Sequence, residues 1–413
     1  MRMKAMCMVV LGWFGCFWVS AADWNQWRGP DRTGSVGEGS SAWPKTLEGK
    51  LTKEWSVDLD ASYSGPVVSG DLVYTTATRK ASKEAVMAFN RHTGKKVWET
   101  TWDGAMKVPF FARKNGSWIR STPIVDQGRL YVGGILDVVV CLDAKTGEEV
   151  WRVDFVERYE AKKPAFGMVC SPLVDGGFVY VQAGAGFCKL DAETGKSVWR
   201  TLVDGGGMYG SAFSSPILAT IDGKRQAVVQ TRTALCGVDI DDGTVLWKQA
   251  VEAFRGMNIL TPVVSGNRVF TSAYGGRSHG FDVSRSGDDG AWRIQEAWNA
   301  KLQGYMCSPV LIDGSVFFHL RNERFASMAL SDGEIAGVSK GSYGKYVSLV
   351  RQGGQILALN ERGLLRLLAV ADGQVRLVDS APVSDGETWA HLAVQGNQLL
   401  IRELKGLVAY RWE

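Results

Sequence analysis

The sequence predicts an all-β fold, an eight-bladed β-propeller of four-stranded antiparallel blades, on three observations. One decapeptide is written nearly twice, LDAKTGEEVW (Leu142–Trp151) and LDAETGKSVW (Leu190–Trp199), and looser copies run from Asn90 to Trp98 and from Asp239 to Trp247. Some 20 to 30 residues before each copy stands a Pro beside a small residue, followed by two short β-rich runs and a turn, as in STPIVDQGRLYVGG and CSPLVDGGFVYVQAG. The chain also holds 49 Gly and 16 Trp, a composition that fits many tight turns and recurrent aromatic packing. A four-stranded unit that is apolar on both faces cannot bury both alone, so such units must stack, and radial stacking closes them into a ring.

The elements follow in order. Arg2 and Lys4 precede an apolar run from Ala5 to Val19 and the small residues Ser20, Ala21 and Ala22, so residues 1–22 read as a signal peptide. That run is short of the roughly 20 residues of a membrane span, and no later segment is apolar enough to be one. A periplasmic or secreted chain without a transmembrane segment is expected. Trp13-Phe14-Gly15 before Cys16 is a poor lipobox, so no lipid anchor is expected there. Residues 23–50 form an N-terminal extension and 51–413 a single propeller.

Blades are expected to begin near Pro66, Pro123, Pro172, Pro216, Pro262 and Pro309, with degraded units from Tyr346 and His391. The last unit reaches Glu413 with only three strands, while KEWSVDL (Lys53–Leu59) resembles the outer strand EVWRVDF (Glu149–Phe155). The N-terminal strand should therefore complete the last blade, with Trp55 in the Trp position. Seven blades is the alternative if the unit from Tyr346 is not a blade.

The repeated motif has a structural task. Asp143, Asp191 and Asp239 can accept backbone N–H groups of the turn, Gly147 and Gly195 can take the positive φ it requires, and Trp98, Trp151, Trp199 and Trp247 supply large packing surfaces toward the neighbouring sheet. On these residues the chain resembles the PQQ-like propeller family, whose tryptophan-docking pattern joins an Asp, a Thr-Gly pair and a Trp. WNQWRGPDRTG (Trp24–Gly34) is similar to the N-terminal signature of its exported bacterial, repeat-only members. The resemblance implies the fold. For activity it implies two alternatives, because the family contains dehydrogenases that use pyrroloquinoline quinone (PQQ) with calcium and non-catalytic relatives such as the propeller lipoprotein of outer-membrane assembly.

Function is expected on the face opposite the Asp–Trp corners, where the loops entering each first strand lie beside those joining second and third strands. These loops are rich in Tyr, Phe, Met and Gly and carry scattered cations. Trp118, Arg120, Met168, Tyr209, Arg255, Asn258, Tyr305, Arg321, Lys345 and Tyr346 are the candidate ligand or partner residues. An aromatic, cationic mouth suits another exported or envelope protein, or a small anionic or glycan ligand; the same residues could instead fill the channel end and hold blades together.

A PQQ–calcium centre needs converging oxygens and a carboxylate base, and only Glu323, Glu361, Glu403 and Asp137 are near candidates. Neither cofactor, nor any other, is expected. The histidines His92, His279, His319 and His391 fall in different blades, and Cys188 and Cys236 sit in apolar third strands as expected buried thiols. The formal charge of +4 is spread along the chain, which gives no support to a nucleic-acid partner. The leading expectation is a non-catalytic binding or assembly platform; a quinoprotein dehydrogenase and a glycan-binding module are the alternatives.

Overall fold

The computed structural model describes residues 23–413 except Glu38, Ser211, Asp288 and Asp289, and leaves the side chains of Lys114 and Tyr209 undescribed. The expected signal peptide lies outside the described residues. Eight four-stranded antiparallel sheets follow one another around the ring, the first seven with their strands in sequence order from the axis outward. The innermost strands are Val67–Ser69, Ile124–Asp126, Leu173–Asp175, Ile217–Ile221, Val263–Ser265, Val310–Ile312, Val347–Gln352 and Ala393–Gln395, each within two residues of its expected start. The unit from Tyr346 is a full blade. In the eighth, Leu51–Asp58 pairs with Gly406–Trp412, placing Trp55 opposite Ala409, so the N-terminal strand closes the ring.

The Ser-Pro and Thr-Pro starts have a shared role at the axis. Gly65 N donates to Thr122 Oγ1, Thr122 N to Ser171 Oγ, Ser171 N to Ser215 Oγ and Thr261 N to Ser308 Oγ, each at 3.0–3.1 Å. The hydroxyl of one blade thus satisfies the backbone of its neighbour where no strand pairing is available, and the Pro that follows has no N–H to leave orphaned.

At the outer corners, Asp143 accepts Lys145 N and Thr146 N, both at 2.9 Å, and Asp191 accepts Thr194 N at 2.8 Å. The Thr194 hydroxyl bond to Asp191 (2.6 Å) and these backbone bonds hold both carboxyls below the usual carboxylate range. Asp239 departs from the pattern: it accepts Asp241 N, and Asp242 takes the Thr. Five corner glycines serve as seats for the Trp of the preceding blade. Gly94 lies under Trp55, Gly147 under Trp98, Gly195 under Trp151, Gly243 under Trp199 and Gly333 under Trp298. At Gly195 (φ +68°) a Cβ would sit 2.7 Å from the Trp151 ring, so backbone conformation and packing both require glycine. The indole N–H of Trp55, Trp98, Trp151 and Trp298 then donates to a corner carbonyl of the next blade at 2.7–3.1 Å. Trp199 keeps the seat without that bond, because Lys189 Nζ takes the Ile240 carbonyl. Trp247 turns inward to Gln226 Oε1 at 2.6 Å, since the next blade joins its outer strands through a longer hairpin.

The N-terminal extension does more than lead into the first strand. Residues 24–36 cross the axis: Trp24 O accepts Val68 N, Asn25 O accepts Val125 N, and Val36 N donates to Arg351 O. Arg28 and Arg32 are 1% and 2% exposed. The Arg32 guanidinium donates to Ser171 O and Pro172 O (3.0 and 2.7 Å), and that of Arg28 to Thr33 O (2.9 Å) and Pro309 O. Burial pulls both down to about 10. A buried cation requires such acceptors, and the free carbonyls at the first-strand ends provide them. Trp27 lies 5.5 Å from each guanidinium and 5.3 Å from the His391 ring. The segment plugs the channel.

Candidate functional site

The mouth face is built from loops with little in common between blades. Folding brings their aromatic rings into one arc. Trp118 meets Tyr63 edge-on (5.2 Å), Tyr63 stacks on Trp389 (4.8 Å), and Trp389 touches Tyr346 (3.9 Å). Tyr346 stacks on Tyr305 (5.6 Å), which meets Tyr274 (5.3 Å), which meets Phe254 (5.7 Å). Seven rings from the loops of six blades are in contact, and a shorter row of Phe111, Phe166 and Phe213 continues on the other side. Cations border the arc: Arg255 over Phe254 (5.1 Å), Arg321 over Tyr274 (4.9 Å) and Lys345 over Tyr346 (5.2 Å), all three exposed. The loops of this face hold eighteen Lys and Arg against ten Asp and Glu. Because the whole chain is only +4, the remainder is net acidic and the mouth is the positive pole.

The sequence candidates divide into two groups. Trp118, Arg255, Tyr305, Arg321, Lys345 and Tyr346 belong to the arc. Three others serve the scaffold. Arg120 donates to Asn115 O and Gly116 O at 3.4 and 2.6 Å while lying 5.9 Å over Tyr63, and burial lowers its pKa. Met168 is 2% exposed and packs in the core with Ile124, Tyr131 and Cys170, so it fills the space between blades 2 and 3 where a mouth residue was expected. Asn258, 1% exposed, donates to Arg232 O and Val251 O, both at 3.0 Å. The Tyr209 side chain lies outside the described residues.

Sequence reasoning missed Tyr63, Tyr274 and Trp389, which link the arc across blades 1, 5 and 8. Each is a single aromatic in a loop without a repeat, and only ring closure makes them neighbours.

The carboxylates do not form a calcium–quinone centre. Glu361 accepts Lys345 N and Tyr346 N at 3.0 and 3.2 Å, Glu323 accepts the Ser342 hydroxyl at 2.7 Å, Glu403 that of Ser384 at 2.6 Å, and Asp137 accepts Gly184 N at 2.7 Å. They belong to four blades, and among the described residues no three Asp, Glu, His or Cys side chains gather as metal ligands would. This donor set does not fit that cofactor. His92 pairs with Asp71 (3.0 Å) and His279 with Glu296 (2.6 Å), away from each other. Cys141, Cys170, Cys188, Cys236 and Cys307 are all free and buried, and for each burial raises the thiol pKa, which makes them poor nucleophiles.

A family model described as outer membrane protein assembly factor BamB matches residues 35–100 and 82–337. The chain belongs to this family of PQQ-like propellers. The BamB protein of Yersinia pestis is 24% identical over 381 residues, covering 86% of this chain and 88% of the relative. The crystal structure of BamB from Moraxella catarrhalis superposes with a TM-score of 0.63 at 17% identity, over 88% of this chain and 98% of that one. A quinohemoprotein alcohol dehydrogenase of Comamonas testosteroni is 29% identical over 161 residues, but these cover 35% of this chain and 21% of the enzyme. The sequence similarity to BamB thus runs along nearly the whole propeller, whereas that to the enzyme covers a few blades; in structure the Comamonas testosteroni enzyme shares the fold over 96% of this chain and 81% of its own, with a TM-score of 0.51 at 13% identity. Among the described residues no helix is long and apolar enough to cross a membrane.

Proposed function

We propose that this chain is an exported, non-catalytic binding platform that uses its mouth face to hold another envelope protein during assembly. The aromatic arc from Trp118 to Phe254, edged by exposed Arg255, Arg321 and Lys345, carries this reading. Aromatic and Arg side chains are the usual anchors of protein interfaces, and the positive pole accelerates encounter with an acidic partner surface. The rings are spread over the loops of six blades, an extent better suited to a protein than to a small enclosed ligand. The full-length likeness to an assembly factor supports the same reading at the level of the family.

The test is site-specific photo-crosslinking in cells. A benzophenone amino acid at Tyr305 or Arg321 should give one discrete protein adduct, and the same group at Lys145 or Glu193 on the corner face should give none. Adducts from the corner face alone would overturn the reading. Independently, PQQ and calcium added to the purified protein should produce neither a stoichiometric quinone absorbance nor dye-linked oxidation of alcohols or sugars; tight binding with turnover would replace the platform with an enzyme.

A further inference from the structure

The loop joining blades 1 and 2, residues 104–123, has the largest net positive charge of the mouth loops and, among the described residues, the most exposed large hydrophobic side chain. Its twenty residues hold Lys107, Arg113, Lys114 and Arg120 and no Asp or Glu. Within it the short 3-10 helix Phe110–Asn115 projects two rings into solvent: Phe110 is 79% exposed and Phe111 53%. No other large hydrophobic side chain is as exposed as Phe110 among the described residues. The two rings meet edge-on at 5.6 Å, and Phe111 rests on Phe166 at 6.2 Å.

The projection is firmly held. Ala112 N donates to Pro109 O (2.8 Å), Gly116 N to Arg113 O (3.0 Å), and the partly buried Arg120 guanidinium donates to Gly116 O (2.6 Å). Trp118 lies against Gly116 so closely that a Cβ there would overlap its ring. The adjoining loop adds exposed Lys162 and Lys163 beside Phe166, together with Arg158, Glu157 and Glu160. Among the described residues, Lys107, Arg113, Lys162 and Lys163 form no ion pair.

We infer that Phe110 and Phe111 are a wedge by which this face rests on an anionic phospholipid surface. A protein partner would need a complementary pocket for a convex knob of this kind, whereas a bilayer interface accepts any apolar projection, and cations around it meet the headgroup phosphates. The absence of acid from the whole loop is what an anionic surface requires and what a single protein pocket does not. The wedge lies beside the partner arc, on blades 1 to 3, so a chain resting on it keeps the rings of blades 5 to 8 near the membrane plane.

The experiment is flotation of the purified protein with vesicles. Vesicles of phosphatidylcholine with about 30% phosphatidylglycerol should carry the protein up, neutral ones should not, and high salt should release it. Phe110→Ala with Phe111→Ala should weaken partition about thirtyfold. Both rings are exposed, so the melting curve should not move; if it does, a benzophenone amino acid at position 110 replaces the double variant, and illumination with vesicles should give an adduct of phospholipid mass. Binding that ignores the double substitution, no preference for anionic vesicles, or an adduct at 110 with protein alone would each overturn the wedge. None of these bears on crosslinks from Tyr305 or Arg321, so the platform reading stands or falls separately.

Discussion

The seam between blades 1 and 2 and the seam between blades 7 and 8 perform one task with different parts. At the first, Trp98 sits opposite Ala88, rests on Gly147 and donates to Ala144 O at 3.1 Å. At the second, the corresponding position opposite Leu367 is Asp379. Its carboxylate accepts the Thr46 hydroxyl, Leu47 N at 2.6 Å and Glu48 N at 2.8 Å. Blade 8 has no covalent corner, because its third and fourth strands are the two ends of the propeller. The extension supplies the corner instead, and its free N–H groups suit a carboxylate better than an indole. Trp43 and Leu47, 5% and 2% exposed, restore the apolar volume beside Trp412. What the fold constrains is the register position and the contact across the seam, not the residue type.

Removing a docking ring should have the largest effect. Trp151→Ala deletes a side chain that is 9% exposed and packed between blades 2 and 3, with its N–H bonded to Ala192 O; a loss of about 4 kcal/mol is expected in denaturant unfolding. Trp43→Ala opens the surrogate corner, and a loss of about 3 kcal/mol is expected because the strap can partly collapse onto the gap. If Trp43 proved silent, the extension would be a lead-in and the seam would be held by the ladder between Leu51–Asp58 and Gly406–Trp412 alone. Gly195→Ala should cost about 2 kcal/mol, from positive φ and overlap with Trp151 together. In a Trp151→Ala background the overlap vanishes, so the glycine penalty should shrink to its backbone part. Additive losses would show that the ring does not rest on the glycine.

The same contrast explains what could be read from the sequence. The seams carrying Trp98, Trp151 and Trp199 were legible because one chemical solution is written repeatedly, and ring closure followed from an outer strand without its blade, Lys53–Leu59. Asp379 was not legible, since it occupies a Trp position without resembling one. Arg28 and Arg32 were hidden for a related reason: a local reading puts Arg at the surface, and only the assembled ring shows the first-strand carbonyls that hold them. On the mouth face the loops of blades 2, 5, 6 and 7 yielded Trp118, Arg255, Tyr305, Arg321, Lys345 and Tyr346. Tyr63 and Trp389, which join them through blades 1 and 8, depend on contacts between the two ends of the chain.

The smallest expected effect tests the polar seam by pH. Bonds from the Thr46 hydroxyl and the backbone N–H groups of Glu48, Ser380 and Leu47 hold the Asp379 carboxyl down to about 2. A carboxyl whose folded pKa is depressed contributes stability that is fully present above its unfolded value near 4 and is lost as pH falls toward 2. Because Asp379 is only partly buried, the contribution is closer to that of a capping residue than to a buried ion, about 1 kcal/mol. Asp379→Asn should therefore be less stable than the native chain at pH 7, with most of that deficit gone near pH 2, whereas Trp98→Ala should show the same deficit at both. A deficit for Asp379→Asn that persisted at low pH would mean that the side chain acts by packing, as the tryptophans do, and that the two seams differ less than their residues suggest.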